Sequence, residues 1–153
     1  MNKKTLSLLL ALLCLLTVLS GCCGKKELIP QNLADELMHN ANFTDKLDKL
    51  DAAVIPLLYG IDTADYTDAL VYAGTAATAE EIAIFQAADE AAASRLLQAV
   101  QKRVNDQLEV YKSYGPAASM SLQNAVTAKS GTTVLMVICS DSAAAKKIVD
   151  QYI

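Results

Sequence analysis

One short segment limits the possible folds of this chain more than any other. Thr132–Cys139 contains an unbroken row of large apolar residues from Val134 to Ile138, and side chains of this kind favour β-strands. Neighbouring side chains of a strand point to opposite faces of a sheet, so this strand is apolar on both faces. Because an exposed apolar sheet face is a liability, each face needs a cover. The segment therefore predicts a sheet that is covered on both sides.

The rest of the chain supplies further strands and the helices that would cover them. Turn residues and apolar spacing predict strands over residues 69–73 and, more weakly, 122–129, while residues 80–88 fit either a strand or a helix. The same signals predict helices over residues 31–40 (N-cap Asn32), 43–54, 89–114 (ended by Gly115-Pro116) and 141–152 (capped by Asp141 or Ser142), with a short turn ended by Gly60. We expect the two long helices on one sheet face and residues 31–59 on the other, where a second protein molecule is the alternative cover.

An internal repeat favours a strand for the ambiguous segment. A shift of 52 residues places residues 80–100 on residues 132–152, with Asp89 on Asp141 and Ile82 on Val134. The repeated unit would be strand–strand–helix, used twice. It predicts an α+β fold for residues 31–153: a four-stranded antiparallel sheet with two longer helices packed on it and short N-terminal helices.

The composition agrees with one packed domain. The chain has 153 residues, of which 53% are apolar and 20% are charged, so neither several domains nor a disordered protein is expected. The net charge of −4 argues against a nucleic acid as a partner, because such binding relies on a basic surface.

The first residues have the pattern of a targeting segment. Lys3 and Lys4 precede an apolar run, Leu6–Leu19, that is shorter than the roughly 20 residues of a membrane-spanning helix. The run ends in Leu19-Ser20-Gly21-Cys22, which resembles the lipobox of bacterial lipoproteins. In that family the cysteine thiol receives a diacylglycerol, and cleavage leaves this cysteine as the first residue. The resemblance implies a signal peptide over residues 1–21 and a lipid on Cys22; an ordinary secretory signal and an uncleaved anchor are the alternatives.

A lipid on Cys22 would make the lipid bilayer the first partner of the chain. Two acyl chains give a stable anchor, since each buried CH₂ contributes about 0.8 kcal/mol. Residues 22–30 would then be a short tether that keeps the domain close to the bilayer. Lys25 and Lys26 would lie near lipid headgroups, unless this segment is only a solvated spacer.

The cysteines and the histidine indicate no disulfide framework and no cofactor. Cys14 lies in the apolar run, Cys22 is the lipidation residue, and a bond between Cys23 and Cys139 would pull a core strand to the tether. We expect Cys139 to be a small buried apolar residue. His39, the single histidine, is expected to interact with the dipole at a helix C-terminus, so neither a catalytic role nor a metal site is predicted.

The acidic residues offer weak candidates for chemistry. Asp62, Asp65 and Asp68 recur every third residue in a loop. A solvated turn with Asp65 or Asp62 as a cap is the expected structure, and a calcium site is the alternative. Glu80 and Glu81 are predicted to be an exposed strand edge that discourages aggregation. The tyrosines fit either a recognition surface or a half-buried core; among them are Tyr59, Tyr66, Tyr72 and Tyr114.

Three motifs together resemble a known family. They are Leu58-Tyr59-Gly60-Ile61-Asp62, then Ala79-Glu80-Glu81-Ile82-Ala83 followed by Phe85, and Asp89 at the start of a long helix. With the lipobox, they resemble small Gram-positive lipoproteins that are built on one domain of unknown function, over residues 31–153. The resemblance implies a cell-envelope lipoprotein on the extracytoplasmic face of the cell membrane. It implies no activity and no site residue beyond Cys22.

Two functions of different classes follow from these features. The first is a membrane-anchored binding or adaptor module whose partner is an unidentified envelope protein. The alternative is an envelope hydrolase that uses loop carboxylates such as Asp62, Asp65 or Glu81.

Overall fold

The computed structural model describes residues 25–153. The predicted signal peptide and the cysteines Cys14, Cys22 and Cys23 lie outside the described residues. The helices are α1 (Pro30–Asn40), α2 (Ile55–Tyr59), α3 (Glu90–Tyr111), α4 (Pro116–Gln123) and α5 (Ser142–Val149). The strands are β1 (Asp48–Lys49), β2 (Tyr66–Ala73), β3 (Glu81–Ala87), β4 (Val126–Ser130) and β5 (Thr133–Ile138).

The strands form one antiparallel sheet in the order β1-β2-β3-β5-β4. The α+β class and the antiparallel sheet are confirmed, but the sheet has five strands and the prediction of four was wrong. The additional strand, β1, lies where a helix over residues 43–54 was predicted. That segment is held beside β2 because the backbone N–H groups of Thr44 and Asp45 bind the carboxylate of Glu80.

Both faces of the sheet are covered, as the apolar run of β5 predicts. We call the side that packs against α2, α3 and α4 the front face, and the side that packs against α1 and α5 the back face. Phe85, Val134 and Met136 contribute to the front core, which α3 closes with Leu96 and Val100. The largest buried side chains of the back core are Leu33, Leu37, Ile82, Ile84 and Leu135.

The helices are divided between the faces differently from the prediction. The long helix α3 is on the front face and α5 is on the back face, so the expectation that both would share one face was wrong. The predicted cover by residues 31–59 is half right, because α1 is on the back face and α2 is on the front. The order strand–strand–helix does occur twice, but the two helices lie on opposite faces, and this arrangement does not confirm the repeat.

Residues at the helix ends explain where most helices begin. Asp89 and Asp141 cap α3 and α5 by accepting hydrogen bonds from backbone N–H groups at 2.7 and 2.9 Å, as predicted. The predicted cap Asn32 instead lies inside α1, which begins with Pro30. Pro116, predicted only to end the preceding helix, is the first residue of α4, since the fixed φ of proline suits a first helical turn.

Candidate functional site

Glu81 lies at the centre of a buried ion cluster and not on an exposed edge. Its side chain is 2% exposed, because β3 is a central strand with helices on both sides. Arg103 of α3 donates to both carboxylate oxygens, from Nε at 2.8 Å and from Nη2 at 2.5 Å, and the Tyr59 hydroxyl donates to Oε1. Burial raises the pKa of Tyr59 well above its ordinary value, so this hydroxyl stays a donor. The cluster links α2, β3 and α3.

Glu80 is also buried, at 3% exposure, but it has no cationic partner among the described residues. Its carboxylate accepts from the backbone N–H groups of Thr44 (2.9 Å) and Asp45 (2.8 Å) and from the Thr44 hydroxyl (3.1 Å). Asp45 in turn accepts from the backbone and hydroxyl of Thr75, and these bonds lower the pKa of Asp45. The predicted exposed edge was therefore wrong for both glutamates; Glu80 joins two loops.

The three aspartates Asp62, Asp65 and Asp68 do not form one site. Asp62 accepts from the backbone N–H of Ala64 at 2.9 Å, which confirms its role as a cap. Asp65 pairs with Arg95 at 2.5 Å, and the hydrogen bond from Arg95 lowers the pKa of the Asp65 carboxyl. Asp68 is exposed on β2. Between residues 25 and 153, no group of three or more His, Cys, Asp and Glu side chains could hold a metal ion.

The structure also locates the cysteine, the histidine and the tyrosines that the sequence singled out. Cys139 is 2% exposed, and burial raises its pKa to about 11, so its prediction as a buried apolar residue is confirmed. The ring of His39 lies in the last turn of α1, with Nδ1 2.7 Å from the carbonyl oxygen of Asp35. Tyr59, Tyr66 and Tyr72 pack in or against the two cores, while Tyr114 is 63% exposed.

The two edges of the sheet differ in a way that the sequence did not reveal. β1 is an edge of two exposed, charged residues, and Asp48 forms an ion pair with Lys46 at 2.7 Å. Short length and charge are the features with which proteins prevent edge-to-edge association. The other edge, β4, is five residues long, its first three residues are half-buried, and Lys129 is its single charged residue.

The hairpin between β4 and β5 determines which backbone groups of β4 are free. Gly131 and Thr132 form a two-residue turn, and Gly131 has a φ of 54°, which glycine adopts without strain. Such a turn closes on a hydrogen-bonded pair, here Ser130 and Thr133. Hydrogen-bonded and non-hydrogen-bonded pairs alternate along an antiparallel ladder. Thr127 and Lys129 belong to non-hydrogen-bonded pairs, so their N–H and C=O groups point away from β5.

A groove lies on each side of the β4 edge. The front groove, of about 390 Å³, is lined by apolar residues and by uncharged amides, including Gln101, Asn105 and Gln123. The back groove, of about 380 Å³, runs between β4 and α5, where Lys146 and Asp150 form an ion pair at 2.8 Å. An open edge between two grooves can accept an added strand: its backbone would bind Thr127 and Lys129, and its side chains would enter the grooves.

The weak strand signal over residues 122–129 hinted at β4 but did not show that β4 is an edge. That property depends on the order of strands in space and not on a local pattern.

Among the described residues, no helix has the length and apolar character needed to cross a membrane.

Comparison with known proteins identifies the central part of the chain. A family model described as Domain of unknown function (DUF4358) matches residues 39–139. The matched region runs from the end of α1 to the residue after β5, so it includes the sheet, the Glu81 cluster and the β4 edge. No curated protein and no solved structure matches the chain.

Proposed function

The chain belongs to the family Domain of unknown function (DUF4358), and from this premise we propose that it is a membrane-anchored binding module. In this proposal it binds an extended segment of another cell-envelope protein, which adds to β4 as a sixth strand. A lipid on Cys22 holds the module at the extracytoplasmic face of the cell membrane.

The observation that carries this proposal is the unprotected β4 edge. An edge strand presents a row of unpaired N–H and C=O groups, and proteins usually shorten, charge or cover such edges. The β1 edge of the same sheet is short and charged, whereas β4 keeps five residues and two flanking grooves. The contrast within one sheet supports a role for β4 in binding.

The lining of the grooves indicates the chemistry of the partner segment. The front groove contains no charged side chain, so alternate residues of the partner should be apolar or uncharged there. Lys129, at the end of β4, is exposed and forms no ion pair with residues 25–153. An acidic residue opposite Lys129 would complement it, and cross-strand pairs of opposite charge contribute roughly 0.2–1 kcal/mol.

The anchor is supported by the segment Leu19-Ser20-Gly21-Cys22 and is tested separately. In a bacterial host that processes lipoproteins, Cys22→Ala should release the chain from the membrane fraction, because no acyl chain can then be attached. A processed Cys22→Ala chain that remains fully membrane-bound would contradict the anchor.

Binding at the β4 edge can be tested with a matched pair of proline variants. The probe is a fluorescent peptide of alternating valine and threonine with one terminal glutamate, added to the full chain in detergent. Thr127→Pro removes an outward N–H group and leaves the β4–β5 ladder intact, so binding should weaken about tenfold or more. Ala128→Pro removes a ladder bond and should instead lower the melting temperature. Fluorescence anisotropy and thermal unfolding distinguish the two effects.

Thr127→Val is the control, since it changes the side chain and keeps the backbone donor. Wild-type affinity in Thr127→Pro would contradict strand addition at β4. A dimer that dissociates in Thr127→Pro, without any peptide binding, would show that the occupant is a second copy of the chain and that the proposed partner is wrong.

A further inference from the structure

One lysine fastens the start of the described chain to its end. The backbone N–H of Lys26 donates to the carbonyl oxygen of Gln151 at 2.6 Å, and the Lys26 ammonium contacts both oxygens of Glu36 at 2.8 Å. The same ammonium lies 5.1 Å from the centre of the Tyr152 ring, and the Tyr152 hydroxyl donates to Glu36 at 2.6 Å. We call Lys26, Glu36, Gln151 and Tyr152 the clamp.

The clamp holds Lys26 more firmly than a single exposed ion pair would. Lys26 combines a backbone hydrogen bond, an ion pair and a cation–π contact. Two residues later, Leu28 packs against the back core. The chain is therefore attached to the folded domain from Lys26 onwards. Only the residues between Cys22 and Lys26 can then separate the domain from a lipid on Cys22.

The clamp lies beside the back groove of the β4 edge. Asp150, the neighbour of Gln151, lines that groove. The Cα atoms of Lys26 and Asp150 are within about 10 Å of each other, because one hydrogen bond and one peptide unit separate the two residues. The four residues from Cys22 to Lys26 span about 14 Å at most. The groove therefore begins within about 25 Å of a lipid on Cys22, and this limit holds for every orientation of the domain.

The β4 edge offers few backbone groups to an added strand. Thr127 and Lys129 direct theirs outwards, but the N–H of Ala125 already donates to the carbonyl oxygen of Leu122 at 3.2 Å. At the other end β4 stops at Ser130. Because each backbone bond adds little net free energy in water, a dissolved segment would bind weakly. Confining both partners to one membrane raises their effective concentration and compensates for the small number of bonds.

We propose that the segment bound at β4 is the juxtamembrane part of a protein embedded in the same membrane. This inference rests on the proposed function, both on strand addition at β4 and on the lipid anchor. About eight extended residues span 25 Å, so an extracytoplasmic segment that directly follows or precedes a membrane-spanning helix reaches the groove. A dissolved envelope protein has no such gain in effective concentration.

The proposal can be tested with peptides linked to lipid by linkers of two lengths. The full chain, expressed with its leader and carrying Cys23→Ser, is recovered from membranes and reconstituted into phosphatidylcholine vesicles. The probe is the same alternating valine–threonine peptide, either free or coupled to phosphatidylethanolamine through about 8 or about 60 flexible Gly and Ser residues. Energy transfer from a donor at Ser94→Cys on α3 to an acceptor on the peptide measures binding.

The short-linker peptide should bind best. Half-maximal energy transfer should need about 100-fold less of it than of the free peptide, because the membrane concentrates both partners. It should also need severalfold less than the long-linker peptide, which explores a thicker layer above the membrane. Thr127→Pro should weaken the binding of all three peptides, whereas Thr127→Val should preserve it.

Two changes to the tether test whether its length sets the advantage of the short linker. About 60 flexible residues inserted between Gly24 and Lys25 should largely remove that advantage, since the domain can then move away from the membrane. The double variant Lys26→Ala, Glu36→Ala releases the clamp, lengthens the tether by a few residues and should reduce the advantage in part. Lys102→Ala, which breaks the exposed ion pair with Asp106 on α3, is the matched control and should preserve it.

The possible failures are distinguishable. If the free peptide binds and neither lipid-linked form binds better, the juxtamembrane partner is overturned and strand addition stands. If only the long-linker peptide gains, the β4 edge is out of reach of a juxtamembrane segment, and the inference is again overturned. No binding in any form would overturn strand addition and the inference together. A chain absent from the membrane fraction would overturn the anchor and, with it, the inference.

Discussion

The front and back faces of the sheet each bury one of two consecutive glutamates, and they do so with different chemistry. Glu81 points to the front face, where the guanidinium of Arg103 neutralises it. Glu80 lies towards the back face near Cys139, where backbone N–H groups and a hydroxyl from one loop bind it. The difference shows that a buried carboxylate can be held either by a cation or by oriented backbone dipoles.

This comparison also separates two structural tasks. The front cluster joins a strand to two helices through ionised side chains, which are costly to leave unpaired in a core. The back arrangement joins two loops, and its donors lie close enough to solvent for water to replace part of the lost bonding. We therefore expect the loss of one group from these glutamate contacts to lower the free energy of unfolding more on the front face than on the back face.

The largest effect should come from removing the front cation. Arg103→Met would leave the Glu81 carboxylate buried without its counter-ion and should lower the free energy of unfolding by about 3–5 kcal/mol. Urea unfolding followed by circular dichroism measures the change. The double variant Arg103→Met, Glu81→Leu removes both charges and should recover most of the loss; equal destabilisation in the single and double variants would contradict the ion-pair explanation.

Loss of the back carboxylate should cost less. Glu80→Ala removes the acceptor for Thr44 and Asp45 and should lower the free energy of unfolding by about 1–3 kcal/mol. Glu80→Gln keeps one acceptor oxygen and should fall between this variant and the wild type. A loss in Glu80→Ala that equals or exceeds the loss in Arg103→Met would reverse the order of the two faces.

The helix caps allow a comparison in which the chemistry is the same on both faces. Asp89→Ala on the front and Asp141→Ala on the back each remove one cap hydrogen bond and should each cost about 1 kcal/mol. Asn substitutions at both positions are the controls, because asparagine also caps well. Thermal unfolding of the four variants tests whether the faces differ only where charge is buried.

At neutral pH the smallest expected effect concerns Cys139 on the back face, because its contribution changes only in alkaline solution. Burial raises its pKa to about 11, whereas an unfolded cysteine ionises near pH 8.5. The folded state thus holds the thiol proton more tightly than the unfolded state does. The resulting contribution to the free energy of unfolding is complete below about pH 8.5 and is lost as pH rises towards 11. Cys139→Ala should show a shallower decline in urea midpoint between pH 8 and pH 10.5 than the wild type; identical declines would show that Cys139 does not contribute.

Much of the sheet could be predicted from the sequence because its signals are local. The apolar row of β5 indicated a strand with both faces covered, and the caps Asp89 and Asp141 marked the starts of two helices. The similarity between residues 80–88 and the residues of the β5 segment, 52 positions later, correctly favoured a strand for β3. These features depend on the alternation of side chains and on short-range hydrogen bonds, which residues close in sequence determine.

The errors arose where contacts between distant residues decide the structure. Glu80 and Glu81 have the sequence pattern of an exposed edge, but the position of β3 in the sheet buries both of them. The segment 43–54 has helical spacing, yet its contacts with Glu80 and β2 hold part of it as β1. The β4 edge and the clamp could not be predicted at all, since both depend on which elements become neighbours in space.

The strand order has a consequence for how the chain folds. β2–β3 and β4–β5 are hairpins that can close locally, and isolated hairpins form in about 1–10 μs. The central pairing of β3 with β5 must instead bring together two halves separated by α3 and α4, and longer loops cost more entropy to close. This joining step should therefore limit the folding rate: Val134→Ala should slow refolding in stopped-flow experiments, whereas Leu37→Ala in α1 should mainly accelerate unfolding. The two hairpins would then be assembled early, and the domain would become stable only when its middle closes.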